Sequence, residues 1–167
     1  MFKAGDLMVY GTNGVCRVVN ICHSPFDSND ERMFYTLAPL NDNSNLVIYT
    51  PVNNESVVMR ELISESEANK VISEVKNAQI IEIPLEKRRR DVYREVMQTA
   101  EPDQYVRIIK TVFNRRNEFR RTRRRLPDLD NDFEHTAKNC LYGELSQVLG
   151  KTREEISERI NLELVAE

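Results

Sequence analysis

Apolar positions alternate in short runs over the first sixty residues and recur at helical spacing after that. Leu7 to Tyr10 is a β-prone run closed by Gly11-Thr12-Asn13-Gly14, residues that tolerate positive φ and so spell a turn. Gly14 to Cys22 follows as a second strand, rich in Val and Ile. His23 to Glu31 is polar, holds Pro25 and an Asp-Ser-Asn-Asp run, and reads as a loop. Arg32 to Ala38 forms the third strand, Asn41 to Asn45 a turn, Leu46 to Thr50 the fourth strand, and Ser56 to Met59 closes the set.

The period then changes. Ser64-Glu65-Ser66-Glu67 is a capping box, after which Ala68, Val71, Ile72 and Val75 recur on one helical face. Ile80 to Pro84 reads as an extended linker. A helix from Leu85 to Met97 is expected to turn Val92 and Val96 inward, and Ala100-Glu101-Pro102 breaks it, since proline suits a first helical turn. A long helix then carries Tyr105, Ile108, Ile109, Val112 and Phe113. Pro127 to Asp132 reads as a connection whose aspartates cap the next helix, with its stripe of Phe133, Ala137, Cys140, Leu141, Leu145 and Val148 ended by Gly150. Thr152-x-x-Glu155 is a second capping box ahead of Ile156 and Ile160. The expected fold class is α+β. A small Tudor- or SH3-like β-barrel over residues 1–62, the usual outcome of five short strands with tight turns, precedes a compact all-α domain over 63–167.

Composition narrows the class. Of 167 residues, 40% are hydrophobic and 31% charged, as in an ordinary globular chain. Apolar runs such as Leu46 to Tyr49 are far too short to span a bilayer, and Met1 to Asp6 opens no secretory signal, so no membrane contact and a cytoplasmic location are expected. Three cysteines, Cys16, Cys22 and Cys140, fit a reducing compartment. Cys16, Cys22 and His23 lack a further ligand pair at zinc-site spacing, while His135 and Cys140 lie far off on a helix; no metal and no cofactor is expected.

Charge changes the picture more. Residues 1–84 carry six Lys and Arg against eleven Asp and Glu, a net −5; residues 85–125 carry fourteen against six, +8; residues 126–167 carry four against ten, −6. The whole-chain balance of −3 hides this polarity.

Catalysis finds no foothold. With two histidines there is no evident nucleophile–base–orienter set. The five glycines match neither phosphate-loop nor dinucleotide spacing. Asp128, Asp130 and Asp132 fail the Ca²⁺-loop pattern, whose sixth and twelfth positions here hold Phe133 and Asn139; a solvated acidic turn is the plain reading. The expectation is a protein that is not an enzyme.

Two surfaces stand out instead. Lys87-Arg88-Arg89-Arg90 opens one helix, with Arg94 a turn on; Arg115-Arg116 and Arg120-Arg121-x-Arg123-Arg124-Arg125 close the next. If the helices run antiparallel, these clusters gather at one end, where planar guanidinium forks suit phosphate oxygens. The competing reading is a solvated face that complements the second helix's C-terminal dipole. The other surface is Leu46-Val47-Ile48-Tyr49-Thr50. With Leu46 and Ile48 inward, Val47 and Tyr49 face out, either as an edge awaiting a partner strand or as a strand buried on both faces.

The opening Phe2-Lys3-x-Gly5-Asp6-x-x-Val9-Tyr10-x-x-x-Gly14-x-x-x-Val18 resembles that of CarD-like bacterial transcription regulators and of the polymerase-interacting module of transcription-repair coupling factors. Leu46 to Pro51 with Asn53 to Arg60 fits the same module. Lys87 to Arg90, Tyr105 to Arg116 and Leu141-Tyr142-x-Glu144-Leu145 extend the likeness through the helical half. The resemblance implies a Tudor-like domain that binds the RNA polymerase β subunit through residues 46–50, and a helical domain that touches promoter DNA at the upstream edge of the bubble. Taken with the charge clusters, the expected DNA-contact residues are Leu85, Lys87, Arg88, Arg89, Arg90, Arg94, Arg115, Arg116, Arg120, Arg121 and Arg124. The family's partner-facing strand carries a basic residue where this chain has Tyr49. Its minor-groove tryptophan is absent, and Leu85 stands nearest that place. The free protein is expected to be a monomer that modulates open-complex stability. The alternative is a polymerase-bound adaptor whose basic helices meet an acidic protein or RNA.

Overall fold

The computed structural model describes residues 1–41 and 45–166. Strands β1 (Leu7–Tyr10), β2 (Val15–His23), β3 (Met33–Pro39), β4 (Ile48–Pro51) and β5 (Met59–Arg60) precede helices α1 (Glu65–Ser73), α2 (Arg89–Gln98), α3 (Pro102–Arg121), α4 (Asp128–Leu149) and α5 (Arg153–Val165). The fold is α+β.

The strands form one antiparallel sheet in the order β4-β3-β2-β1-β5. Met8, Tyr10, Cys16, Val18, Tyr35 and Leu37 bury its inner face, with Ile48 and Phe2 packed against them. Between Val18 and Asn20 the β2–β3 register shifts, leaving Val19 outside the ladder and exposed, a bulge that strengthens local twist. The expected barrel is not closed: among the described residues no ladder joins β4 to β5. The cause is length. β5 pairs only Val9 with Arg60 and Tyr10 with Met59, because the chain joins β1 at Met59 rather than at Ser56.

β4 also starts later than expected, at Ile48. Its register sets Leu37 opposite Ile48, so Leu46 would fall opposite Pro39, which has no amide hydrogen to extend the ladder. Leu46 and Val47 are therefore exposed residues ahead of the strand, and Leu46 does not reach the core. Of the expected turn at Asn41 to Asn45, residues 42–44 lie outside the described residues.

Both capping boxes form. The Ser64 hydroxyl accepts the Glu67 N–H at 3.1 Å while the Glu67 carboxylate accepts the Ser64 N–H at 2.8 Å, and Thr152 and Glu155 repeat the exchange. Each hydroxyl cap is worth roughly 1 kcal/mol. Pro102 opens α3, and Gly150 ends α4 in the left-handed conformation with φ 61°. Ile72, Tyr93, Met97, Tyr105, Ile108, Ile109, Val112, Leu141, Leu145, Ile156 and Ile160 make the helical core.

Three expectations shift here. In α2 the buried positions are Arg89, Tyr93 and Met97, with Val92 and Val96 only half-buried; the Tyr93 hydroxyl turns the helix face toward Asp130. Ile80 to Pro84 is no free linker, because Ile81 is buried and its N–H donates to the Thr111 hydroxyl at 2.8 Å. The aspartates after Pro127 do not cap α4. That helix begins at Asp128, so Asp128 and Asp130 sit in its first turn, near its positive end.

The two halves pack on each other. Arg60 of β5 donates from both terminal nitrogens to Glu144 of α4, at 2.7 and 2.9 Å, and two of its nitrogens also reach the Ala100 carbonyl at 3.0 and 2.6 Å. Glu144, 1% exposed, accepts the Ile63 N–H as well, at 3.0 Å. Ala100 holds φ 53°, a strained conformation for a residue with a Cβ, while its methyl packs with Val9 and Val15. Nearby, the Asn41 amide donates to the Asn139 carbonyl at 3.1 Å over Gly143. A Cβ at Gly143 would lie 2.5 Å from the Asn41 side chain, so only glycine permits this approach.

Candidate functional site

α2 and α3 do bring their basic ends together, and acids organise the junction. The Glu86 carboxylate lies in the single turn ahead of α2. It accepts two hydrogen bonds from Arg89, at 3.0 and 2.9 Å, and one from Arg115 on α3, at 2.9 Å. These hydrogen bonds, Arg89's first, outweigh partial burial and hold the Glu86 carboxyl down to about 2. Arg115 also donates to fully buried Asp130 on α4, at 3.0 and 3.2 Å, and Asp130 accepts the Tyr93 hydroxyl at 2.8 Å. Burial, then the Asp130 charge, pushes the Tyr93 phenol up to about 12. Next along α3, Arg116 pairs with Glu134, which also takes Lys138 at 3.0 Å. Burial works to raise the Glu134 carboxyl, but those two cations win and lower it.

The predicted DNA-contact arginines therefore divide. Arg89 is 5% exposed, bonded to Glu86 and to the Tyr93 hydroxyl and stacked over the Tyr93 ring. With Arg115 and Arg116 it is committed inward, where its charge is already neutralised. Asp130 corrects the reading of a solvated acidic turn, being a buried ion-pair partner. Lys87, Arg88, Arg90, Arg94, Arg120, Arg121 and Arg124 are exposed, and so are Arg123 and Arg125. Arg94 has Asp91 at 3.8 Å, and Arg125 has Asp128 at 2.8 Å, both surface pairs of little energetic weight. Arg124 lies over the Phe119 ring at 4.4 Å, just after Arg123 turns the chain with φ 54°. Leu85, 57% exposed, stands beside Lys87 and Arg88. The i,i+3 spacing of Glu86 and Arg89 was visible in the sequence; the pairing with Asp130 and Glu134 joins residues on separate helices and left no local sign.

The second surface is the rim of the sheet. β4 pairs with β3 alone among the described residues, so its other edge offers backbone groups to a partner. Thr50 is buried, Ile48 half-buried, and Tyr49 is 41% exposed on the outer face. No three His, Cys, Asp or Glu side chains among the described residues gather as a metal-binding group. None of the helices described is long and apolar enough to cross a membrane.

The described residues thus combine a small sheet with an open edge at β4 and a helical unit with a basic tip, joined by the Arg60–Glu144 pair. Residues 2–63 match the family model of the CarD-like/TRCF RID domain. A domain of this description supports a transcription-related role in contact with RNA polymerase. Residues 64–167 lie outside the match. No curated protein matches the chain.

Proposed function

We propose that this chain is a non-catalytic transcription regulator that holds the RNA polymerase β subunit at its β4 edge and lays its basic tip on promoter DNA. Its place of action is the cytoplasm, and the free protein is a monomer. The observation that carries the reading is the pairing of a polymerase-interacting module with solvent-facing arginines on a unit packed firmly against it. Tethering through the first contact raises the effective concentration of the second, so each contact works while individually weak. At the upstream edge of the bubble, Lys87, Arg88 and Arg90 meet phosphates on one side of Leu85, and Arg120, Arg121 and Arg124 extend the contact along the backbone. Leu85 serves as a small apolar wedge in the minor groove. Binding the melted form more tightly than the closed one shifts that equilibrium.

The test is open-complex lifetime on a promoter with RNA polymerase and the full-length chain. R88E/R90E is expected to keep polymerase binding and to lose most of any change in lifetime, while wild-type binding weakens steeply with salt. An unchanged effect in R88E/R90E refutes the DNA role. Loss of the effect without altered footprinting beside the bubble favours an adaptor that meets an acidic protein or RNA.

A further inference from the structure

The loop between β2 and β3 carries one residue that neither the core nor the basic tip uses. Phe26 is 74% exposed, yet hydrogen bonds tie down the loop that carries it. The Ser24 hydroxyl accepts the Phe26 and Asp27 N–H groups, both at 3.3 Å, Asp27 accepts Asn29, and Asp30 takes Arg32 through a two-pronged pair. This hydrogen bonding folds the loop back over the outer face of the sheet. There Phe26 meets Phe34 edge-on at 6.5 Å between centroids, and Tyr49 edge-on at 5.5 Å. The register explains the meeting. Tyr49 lies opposite Thr36, so Phe34, Thr36 and Tyr49 share the outer face, and Phe26 caps Phe34 down to 6% exposure. The result is an aromatic shelf flush with the open edge of β4, continued by exposed Val47 and Leu46. An ordered loop that presents a large apolar ring to solvent carries an exposed-area penalty that a partner's surface removes.

We propose that Phe26 is a specificity-determining docking residue, which with Tyr49 receives an apolar side chain from the polymerase strand that pairs with β4. This rests on the reading of the β4 edge as the polymerase contact. A strand added there lies about 4.8 Å from β4 and turns alternate side chains to the outer face. The one opposite Tyr49 lands against the Tyr49 and Phe26 rings, within reach of cross-strand contact. An acidic side chain there loses its water to the negative faces of two rings without a cation to pair with, since Arg32 is already paired with Asp30 and set over Phe34. The shelf thus favours an aliphatic or aromatic residue on the partner strand and rejects an acidic one.

The experiment measures the affinity of the full-length chain for core RNA polymerase, with F26A and F26L beside the wild type. F26A is expected to weaken binding about tenfold or more, as for a central aromatic contact. F26L, which keeps an apolar body, is expected to fall between. Because Phe26 covers Phe34 without joining any core cluster, F26A is expected to melt within about 5 °C of the wild type and F26L closer still, so both remain folded in the binding assay. Binding by F26A within twofold of the wild type overturns the Phe26 assignment and leaves the β4 edge reading intact. Absence of binding by the wild type overturns both.

Discussion

Glu144→Ala is the sharpest probe of how the halves are held. The substitution deletes the acceptor of three hydrogen bonds, two from Arg60 at 2.7 and 2.9 Å and one from the Ile63 N–H at 3.0 Å. The Arg60 side chain, 18% exposed, is then left with only the Ala100 and Glu61 carbonyls, and a mostly buried cation loses its counter-charge. Breaking a buried pair from one side costs about 3–5 kcal/mol. That is a large share of a typical 5–15 kcal/mol total. At about 2–4 °C per kcal/mol for a chain of this size, Tm is expected to fall by roughly 6–20 °C. Removing both partners leaves no stranded charge, so R60A/E144A is expected to be less destabilised than the sum of the single variants, by at least about 1 kcal/mol. Thermal and urea unfolding followed by circular dichroism measure all three. A loss below about 1 kcal/mol in E144A, or strict additivity in the double variant, refutes the reasoning.

Three further outcomes follow from the described contacts. Glu86 is held at about 2 and Glu134 is lowered as well; a depressed carboxylate contributes stability that is fully present above its ordinary value near 4.5 and lost as pH falls toward 2. Tm is therefore expected to drop over that window, less steeply in E86Q, and equal slopes would contradict the assignment. Arg89→Ala is expected to destabilise by about 2–3 kcal/mol, because it leaves Glu86 and Tyr93 short of a partner, whereas Arg88→Ala stays within about 0.5 kcal/mol; urea titration separates them. Burial pushes the Cys140 thiol up to about 11 and Cys16 up to about 12, so at pH 8 iodoacetamide is expected to label at most Cys22 in the native chain. Mass spectrometry that finds native Cys140 modified would count against this burial.

What the sequence disclosed was what neighbouring residues decide together. Ser64 with Glu67 and Thr152 with Glu155 define helix starts within one turn, and Pro102 and Gly150 act through their own backbone preferences, so each appears where expected. The fate of Arg115 and Arg116 depended instead on Asp130 and Glu134, which lie on another helix. The same holds at Leu46, whose exposure follows from Pro39 across the sheet. Antiparallel gathering of the basic ends could be reasoned from helix order. Which arginines face water depended on which acids the third dimension supplied.

The inward commitment of Arg89, Arg115 and Arg116 has a consequence for how a copy not yet on polymerase spends its time. Each cation so neutralised is one fewer counterion released on bulk chromosomal DNA, where affinity rises with every free positive charge and every base pair competes. A chain with all its arginines outward would be sequestered by the genome at large. Under the function proposed above, the three cations committed to the protein's own acids keep its hold on random DNA shallow and leave the choice of promoter to the polymerase contact.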